Sequence, residues 1–373
     1  MNKYDQVIFH FSEWKNLDLK LIAAVLILFA IGILTLFSAN SGDFNPWASS
    51  QLKRFLIFLP IFFVIIFLDL RIIYKFSYLF YIAGLAMLIY VLFSGHAAMG
   101  AKRWIDLGFM NLQPSEFMKI TLVLALAKYF HNLHIYKIGN VVFLILPILM
   151  TLVPMFLIIK QPDLGTSLIL LSLAIVIFFI AGVSIWKFVI SAASILIAIP
   201  FLWTSLKAYQ QQRVFTFLNP ESDPLGSGYN IIQSKIAIGS GGFTGKGFLS
   251  GTQGQLNFLP ERETDFIFTI IAEEFGFIGT SFILFLYCYI FTRLIKISLD
   301  CKSLFGKYIV IGLCSFLFFH FLINLAMIMG LIPVVGAPLP FISYGGTILI
   351  VSMITIALAL NVAVNKNTSI SKV

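Results

Sequence analysis

Long apolar runs separated by short polar connections dominate the chain. They fall at roughly 19–39, 55–70, 77–93, 117–130, 141–158, 167–183, 188–205, 266–291, 308–330 and 347–363. Most are long enough to cross a hydrocarbon core as a helix. The pattern therefore predicts an all-α polytopic membrane protein of about ten transmembrane helices, forming one integral unit over residues 1–373. The run at 117–130 is short, so tilting, extension by its flanks or partial re-entry is expected there. One connection is far longer than the rest, at about 206–265, and is rich in turn formers such as Asn219-Pro220, Asp223-Pro224 and Gly239–Gly242. Inside it, Tyr229–Ile238 interleaves Ile231, Ile232 and Ile236 with Gln233, Ser234 and Lys235, which predicts a short helix at the membrane surface.

Composition agrees: 60% of residues are hydrophobic, 11% are charged and the mean hydropathy is +0.98, which excludes a soluble domain. Charge then sets the orientation. Lys and Arg crowd one set of alternate connections, including Arg71, Lys75, Arg293, Lys296, Lys302 and Lys307. The other set, apart from the long loop, holds only Lys53, Arg54, Lys102, Arg103, Lys119 and Lys160. The positive-inside rule places both termini in the cytoplasm and the long loop outside. The net charge of +9 thus reads as orientation and contact with membrane lipids, not as nucleic-acid binding. Met1–Lys20 has no cleavable apolar segment, so the first span is expected to insert uncleaved. Cys288, Cys301 and Cys314 show no disulfide or metal spacing.

Acidic residues take the opposite side: Asp43, Asp106, Glu116, Asp163, Glu221, Asp223, Glu261, Glu263 and Asp265 are all outer. Acids contribute little to topology, so this bias points to chemistry or ligand binding on that face. The densest cluster lies in Gly251–Gly276, where Glu261, Arg262, Glu263 and Asp265 stand just before an apolar run. Asp265 is expected where an aqueous loop enters a membrane helix, either as a helix-start carboxylate or as a catalytic group. Thr269, Ala272, Gly276 and Gly279 would share its helical face. Glu273 and Glu274 would lie roughly 12 Å deeper, at a depth where carboxylates face partners or cavities. Glu261 would lie one turn before Asp265 if the helix begins at Pro260.

Three further stretches carry candidate chemistry. In Gly100–Ile120, Lys102 and Arg103 suit an anionic headgroup and Trp104 a sugar ring, while Glu116 and Lys119 share a helical face as an ion pair. Gln161–Ser167 is a tight turn in which Asp163 suits a helix cap. Gly330–Thr347 is a proline- and glycine-rich hairpin whose polar handles, Ser343 and Tyr344, either meet substrate or satisfy backbone groups. Arg213, Lys235, Lys246 and Arg262 add positive charge in the long loop. His320, alone in an apolar run, reads as hydrogen-bonded core. No nucleotide-binding, haem or metal-cluster pattern appears.

The stretches QRVFTFLNPESDPLGSGYNIIQSKIAIGSGGFTGKG, QGQLNFLPERETDFIFTIIAEE, KRWIDLG, QPSEFMKI, QPDLGTS and PVVGAPLPFISYGGT together resemble the SEDS family, the bacterial proteins of shape, elongation, division and sporulation. NFLPERETDFIF is closest to the elongation branch. Glu263 departs from the histidine common in the family. The resemblance implies a peptidoglycan glycosyltransferase that polymerises lipid II at the outer face of the bacterial cytoplasmic (inner) membrane. It also implies a class B penicillin-binding protein, a transpeptidase, as partner, together with the elongation machinery. The family's essential acid falls on Asp265, its loop tryptophan on Trp104, and the acid and lysine of its QPSE motif on Glu116 and Lys119.

That chemistry suits the residues. An acceptor-sugar hydroxyl must displace pyrophosphate from an anomeric carbon. Because pyrophosphate is a good leaving group, one general base, Asp265, with cations such as Lys119 and Arg103 is sufficient. A divalent cation such as Mg²⁺ is compatible with it and is not demanded by any motif. Ten spans with intramembrane acids also suit a lipid-precursor flippase or transporter, and a non-catalytic scaffold for the transpeptidase is a third reading.

Overall fold

The computed structural model describes residues 11–98, 101–106, 108, 110–205, 208–222, 227–252 and 261–372. Each apolar run becomes a long helix. These are α1 (Leu19–Ala39), α2 (Trp47–Phe67), α3 (Leu70–Ser94), α4 (Pro114–Asn132), α6 (Val142–Lys160), α7 (Leu164–Ala181), α8 (Ile185–Ser205), α11 (Ile267–Asp300), α12 (Leu304–Ile328) and α13 (Gly346–Val364). Shorter helices α5 (Ile135–Ile138), α9 (Ala208–Leu218) and α10 (Ser227–Gly241) lie between them.

Among the described residues, eight helices are long and apolar enough to cross a membrane: α1, α2, α3, α6, α7, α11, α12 and α13. Helix α8 contributes a shorter described apolar stretch, Ile185–Phe201. Helix α4 has the length but carries Glu116, Lys119 and Lys128. It is a regular helix of 19 residues and not a re-entrant segment, because Pro114 opens it three residues before the apolar run begins. Its residues are buried nearly all round. It packs against α3, α7 and α12, while α13 packs on α2 and lies almost wholly inside the bundle.

Side chains cap the helix starts as their types predict. Asp18 accepts from Leu21 N at 3.1 Å at the head of α1, and Asp163 accepts from Thr166 N at 3.1 Å at the head of α7. Helices α1 and α11 run antiparallel. Ser38 donates to Glu274 at one end, and Arg293 holds Asp18 at 2.6 and 2.9 Å at the other. The interval from Asp18 to Ser38 is about 30 Å of helix, one hydrocarbon thickness. Lys302 N donates to Lys366 O at 3.0 Å, so the start of the first span and the end of the last share one end of the bundle.

Two features depart from the sequence reading. The connection between α3 and α4 contains a small antiparallel sheet, ordered β1 (His96–Ala98), β2 (Ala101–Asp106) and β3 (Asn111–Leu112), with Ile105 opposite Leu112. The all-α architecture holds, and this small sheet is an addition in the connection between α3 and α4. The other departure is a break in α11 at Gly276, whose φ of 58° and ψ of −152° no right-handed helix contains. A continuous stripe from Asp265 to Gly279 therefore does not exist.

The long loop repairs that break. Lys246 N and Gly247 N donate to the carbonyls of Glu273 and Glu274 at 3.0 Å each. Phe277 N and Ile278 N donate to Gly242 O and Phe243 O at 3.0 and 3.2 Å. The Glu273 carboxylate, 1% exposed, accepts from Lys246 Nζ at 2.6 Å and from both N and Oγ1 of Thr252 at 2.9 Å. The Glu273 carboxylate, expensive at this depth, is thus satisfied by the loop. A Cβ at Gly276 would lie 2.4 Å from Gly245 N. Gly276→Ala is expected to cost at least about 1–3 kcal/mol from backbone strain alone, with the clash added to it. Thermal unfolding in detergent would read this as a lowered melting temperature, and an unchanged value would mean that the break is not structural.

Candidate active site

Residues 261–266 form a turn and α11 begins only at Ile267, with Phe266 at its cap position and no side-chain cap bond. Glu261 has a φ of 57°, in the left-handed region, so it cannot lie on a helix one turn before Asp265. Its carboxylate instead accepts from Thr264 Oγ1 at 3.0 Å. Asp265 precedes the cap and is half-buried.

The turn is stitched to the Gly330–Thr347 hairpin through three successive carbonyls. Glu263 O accepts from Tyr344 N at 2.8 Å, and Thr264 O accepts from Ser343 Oγ at 2.6 Å. Asp265 O accepts from Asn324 Nδ2 at 2.8 Å, and the same amide reaches Ala337 O at 2.8 Å. Asn324 comes from α12 and is fully buried, so both segments are tied to the core. This places the Asp265 carboxylate over Gly336, where an added Cβ would stand 3.3 Å from Oδ2. Gly336 has a φ of 73°, so this close approach needs glycine twice over.

Cations stand beside the joined turn and hairpin. Arg262 is 9% exposed and its guanidinium lies 5.5 Å from the Trp47 ring centroid. Burial lowers the Arg262 pKa, opposed by Glu263. Burial likewise pushes the Glu263 carboxyl up. Arg54 Nη2 donates to the Tyr344 hydroxyl at 3.3 Å, with the guanidinium 5.1 Å from the ring centroid. Arg54 Nη1 is buried and, among the described residues, has no hydrogen-bond partner. Gln51, one turn earlier on α2, donates to Ser343 O at 2.9 Å and accepts from Gly345 N at 3.3 Å.

Arg103 fastens the β-sheet connection to the turn before α7. Its Nε donates to Gln161 O at 2.9 Å, another nitrogen donates to Pro162 O, and Asp163 Oδ2 lies 3.9 Å away. Gln113 Nε2 also donates to Asp163, at 3.2 Å. Deeper, Lys119 is fully buried. Its Nζ lies 2.6 Å from Glu116 Oε1, 2.7 Å from His320 Nε2 and 5.1 Å from the Phe316 ring centroid. His320 Nδ1 lies 3.3 Å from Pro338 O, which connects this polar chain to the hairpin.

The structure thus brings together Asp265, Arg262, Glu261, Ser343 and Tyr344 where the turn meets the hairpin. Glu116 and Lys119 form the expected ion pair, and His320 is hydrogen-bonded core. Lys119 faces Glu116 and His320 inside the bundle and has no surface open to an outer ligand, so direct contact with a leaving group is replaced by internal pairing. Ser343 is 1% exposed and both hydrogen bonds of its hydroxyl serve backbone groups, the second of the two expectations for it. Trp104 is half-buried on β2. The side chains of Lys102 and Arg213, and all of Pro260, lie outside the described residues.

Sequence reasoning passed over Arg54, Gln51, Asn324 and Gly336. Asn324 had a usable signal, being an amide inside an apolar span. Arg54 counted only toward orientation, although it lies in the first turns of a span beside the hairpin. Among the described residues no three His, Cys, Asp or Glu side chains converge on one point.

Comparison with known proteins agrees over nearly the whole chain. The family model for FtsW, RodA and SpoVE, described as cell cycle proteins, matches residues 18–368. The chain is 40% identical to the peptidoglycan glycosyltransferase MrdB of Escherichia coli over 92% of each chain. It superposes on one chain of a peptidoglycan synthase complex with a TM-score of 0.82 and 34% identity, covering 94% of this chain and 98% of that one. The rod shape determining protein RodA of Thermus thermophilus superposes with a TM-score of 0.72 and 29% identity, over 95% and 99% of the two chains. With its helix order, its stitched turn and hairpin and these likenesses, the chain belongs to the FtsW/RodA/SpoVE family.

Proposed function

We propose that the chain polymerises lipid II into glycan strands, with Asp265 as the general base. It is a peptidoglycan glycosyltransferase, the activity named for its E. coli relative. The acceptor-sugar hydroxyl gives its proton to the Asp265 carboxylate as its oxygen bonds to the donor's anomeric carbon. The bond from that carbon to the pyrophosphate oxygen breaks, and polyprenyl pyrophosphate leaves with the electron pair. Glycosidases need a second carboxyl to protonate an alkoxide, whereas pyrophosphate leaves unaided when cations stand nearby.

The observation that carries this reading is the three-carbonyl seam that pins Asp265 against Gly336. A base held this firmly meets the geometric demand of general-base catalysis. Arg54, Arg262 and Arg103 supply positive charge at the same level, and Lys102 and Arg213 are proposed to add to it. Trp104 offers a face for a sugar ring. Glu116, Lys119 and His320 act from beneath as positioning residues, through Pro338 and the hairpin. Mg²⁺ takes one or two carboxylates plus phosphate oxygens. Asp265 is the carboxylate placed to ligate it together with substrate, and there it would neutralise charge on the pyrophosphate. The purified protein in liposomes with labelled lipid II tests the function. Polymer is the expected product; scrambling without polymer would make it a flippase, and neither, even with its partner, would make it a scaffold.

The synthase complex to which the chain is similar unites polymerisation with crosslinking. It supports a class B penicillin-binding protein as partner, within the elongation machinery. The proposed address is the bacterial cytoplasmic membrane, with both termini inside. In a cysteine-free background, a membrane-impermeant thiol reagent should label Ser222→Cys from outside and spare Lys302→Cys. Lys302 is exposed, whereas neighbouring Ser298 is buried and donates to Lys307 O at 3.3 Å. The reverse pattern would invert the orientation.

A further inference from the structure

At the end of the bundle far from Asp265, a cavity of about 380 Å³ opens between the start of α1 and the ends of α11 and α13. Four lysines line it: Lys15, Lys20, Lys296 and Lys366. Among the described residues none of the four has a carboxylate at ion-pair distance. Arg293 also lines the cavity, but Asp18 takes up its charge at 2.6 Å. Asp300 is the other acid in the wall and is exposed. The uncompensated charge is thus positive, four lysines against one aspartate.

The same wall is apolar on its membrane side. Leu17, Leu19 and Ile297 line it, and Leu19 is 69% exposed. Trp14, on the short 3-10 helix Phe11–Asn16 that leads into α1, is 67% exposed. Exposed tryptophan beside the first residue of a span marks the headgroup level of a bilayer. Lysines that converge where three spans end, above exposed leucine, present charge and apolar surface to one molecule. A free anion would use only the first.

We propose that this cavity binds the headgroup of an anionic phospholipid, with its acyl chains lying along α1 and α11. Basic pockets between helices at the membrane surface take such headgroups. The four ammonium groups would share the phosphate oxygens, and the lipid would tie the first span to α11 and α13. This site is separate from the glycosyltransferase mouth and depends neither on that activity nor on which leaflet it faces.

Native mass spectrometry of the full-length protein with added phosphatidylglycerol, and separately with phosphatidylethanolamine, tests it. Phosphatidylglycerol should bind preferentially. Each lysine removed should lower its affinity about fivefold, so Lys20→Ala, Lys296→Ala and Lys366→Ala together should lose on the order of a hundredfold. Asp300→Asn should tighten binding by about fivefold, a change that misfolding cannot imitate. Replacing the three lysines by arginine should preserve binding. Equal binding of the two lipids, or an unchanged triple-alanine variant, overturns the proposal. Displacement of phosphatidylglycerol by millimolar inorganic phosphate would also overturn it, by making the ligand a soluble phosphate.

Discussion

Asp265→Asn is expected to lower lipid II polymerisation by ~10²–10⁴, while expression, melting temperature and lipid II binding stay close to those of the parent. The amide has nearly the carboxylate's shape and can still accept a hydrogen bond beside Gly336, but it cannot take a proton. The backbone at this position is held by Asn324, which the substitution does not touch. Asp265→Glu keeps the base but moves it by about one methylene against a hairpin that leaves no slack. Displacement of ~1 Å can cost on the order of 10² in rate, so this variant should also be severely impaired. Quantifying polymer from labelled lipid II would check both, and an Asp265→Asn protein with most of its activity would remove the base from Asp265. Asparagine serves the start of a helix about as well as aspartate, so such a result would instead assign Asp265 a helix-start role.

Lys119→Met is expected to destabilise the protein by about 3–5 kcal/mol, because it strands Glu116 as a buried charge. Glu116 is 4% exposed and, among the described residues, its Oε2 has no hydrogen-bond partner, with His320 Nε2 at 3.8 Å. The clear readout is a lower melting temperature and less folded protein on size exclusion. Pairing it with Glu116→Gln removes both charges and should recover most of the stability, since replacing a whole buried pair is often nearly neutral. Polymerisation should recover less than stability. Without Lys119, His320 loses its 2.7 Å partner, and with it the support that His320 gives the hairpin at Pro338. A double variant with full polymerisation would reduce the pair to a stabilising role and end its part in positioning.

Glu116 and Lys119 also show how much of the site was legible in advance. Spacing of three on a helix that opens at Pro114 puts the two side chains on one face, and the pair forms as spacing requires. Spacing could not say which way that face turns, and it turns inward onto His320 of a helix 201 positions away. An outer cation was therefore expected where an internal one stands. The same limit explains Glu261. The residues after Pro260 look ready to begin a helix, yet Glu261 adopts a left-handed backbone and the helix waits until Ile267. No local propensity demands that delay. It frees the carbonyls of Glu263, Thr264 and Asp265 for the hairpin and Asn324.

Hydrophobic pattern alone determined the long helices, because a backbone in hydrocarbon must satisfy its own hydrogen bonds and only a helix does so within one segment. It also determined that Asp265 stands at the entrance to α11, and the resemblance of its surroundings to a known family supplied its chemistry. Tertiary structure decided everything that depends on two segments meeting. The Asn324 bond to Asp265 spans 59 positions and the Ser343 bond to Thr264 spans 79. The broken ladder at Gly276 is completed by a loop whose glycines look like ordinary turn formers in the sequence. A period along one helix records which face avoids lipid, but it holds no record of the carbonyl or amide that will meet that face from a distant turn.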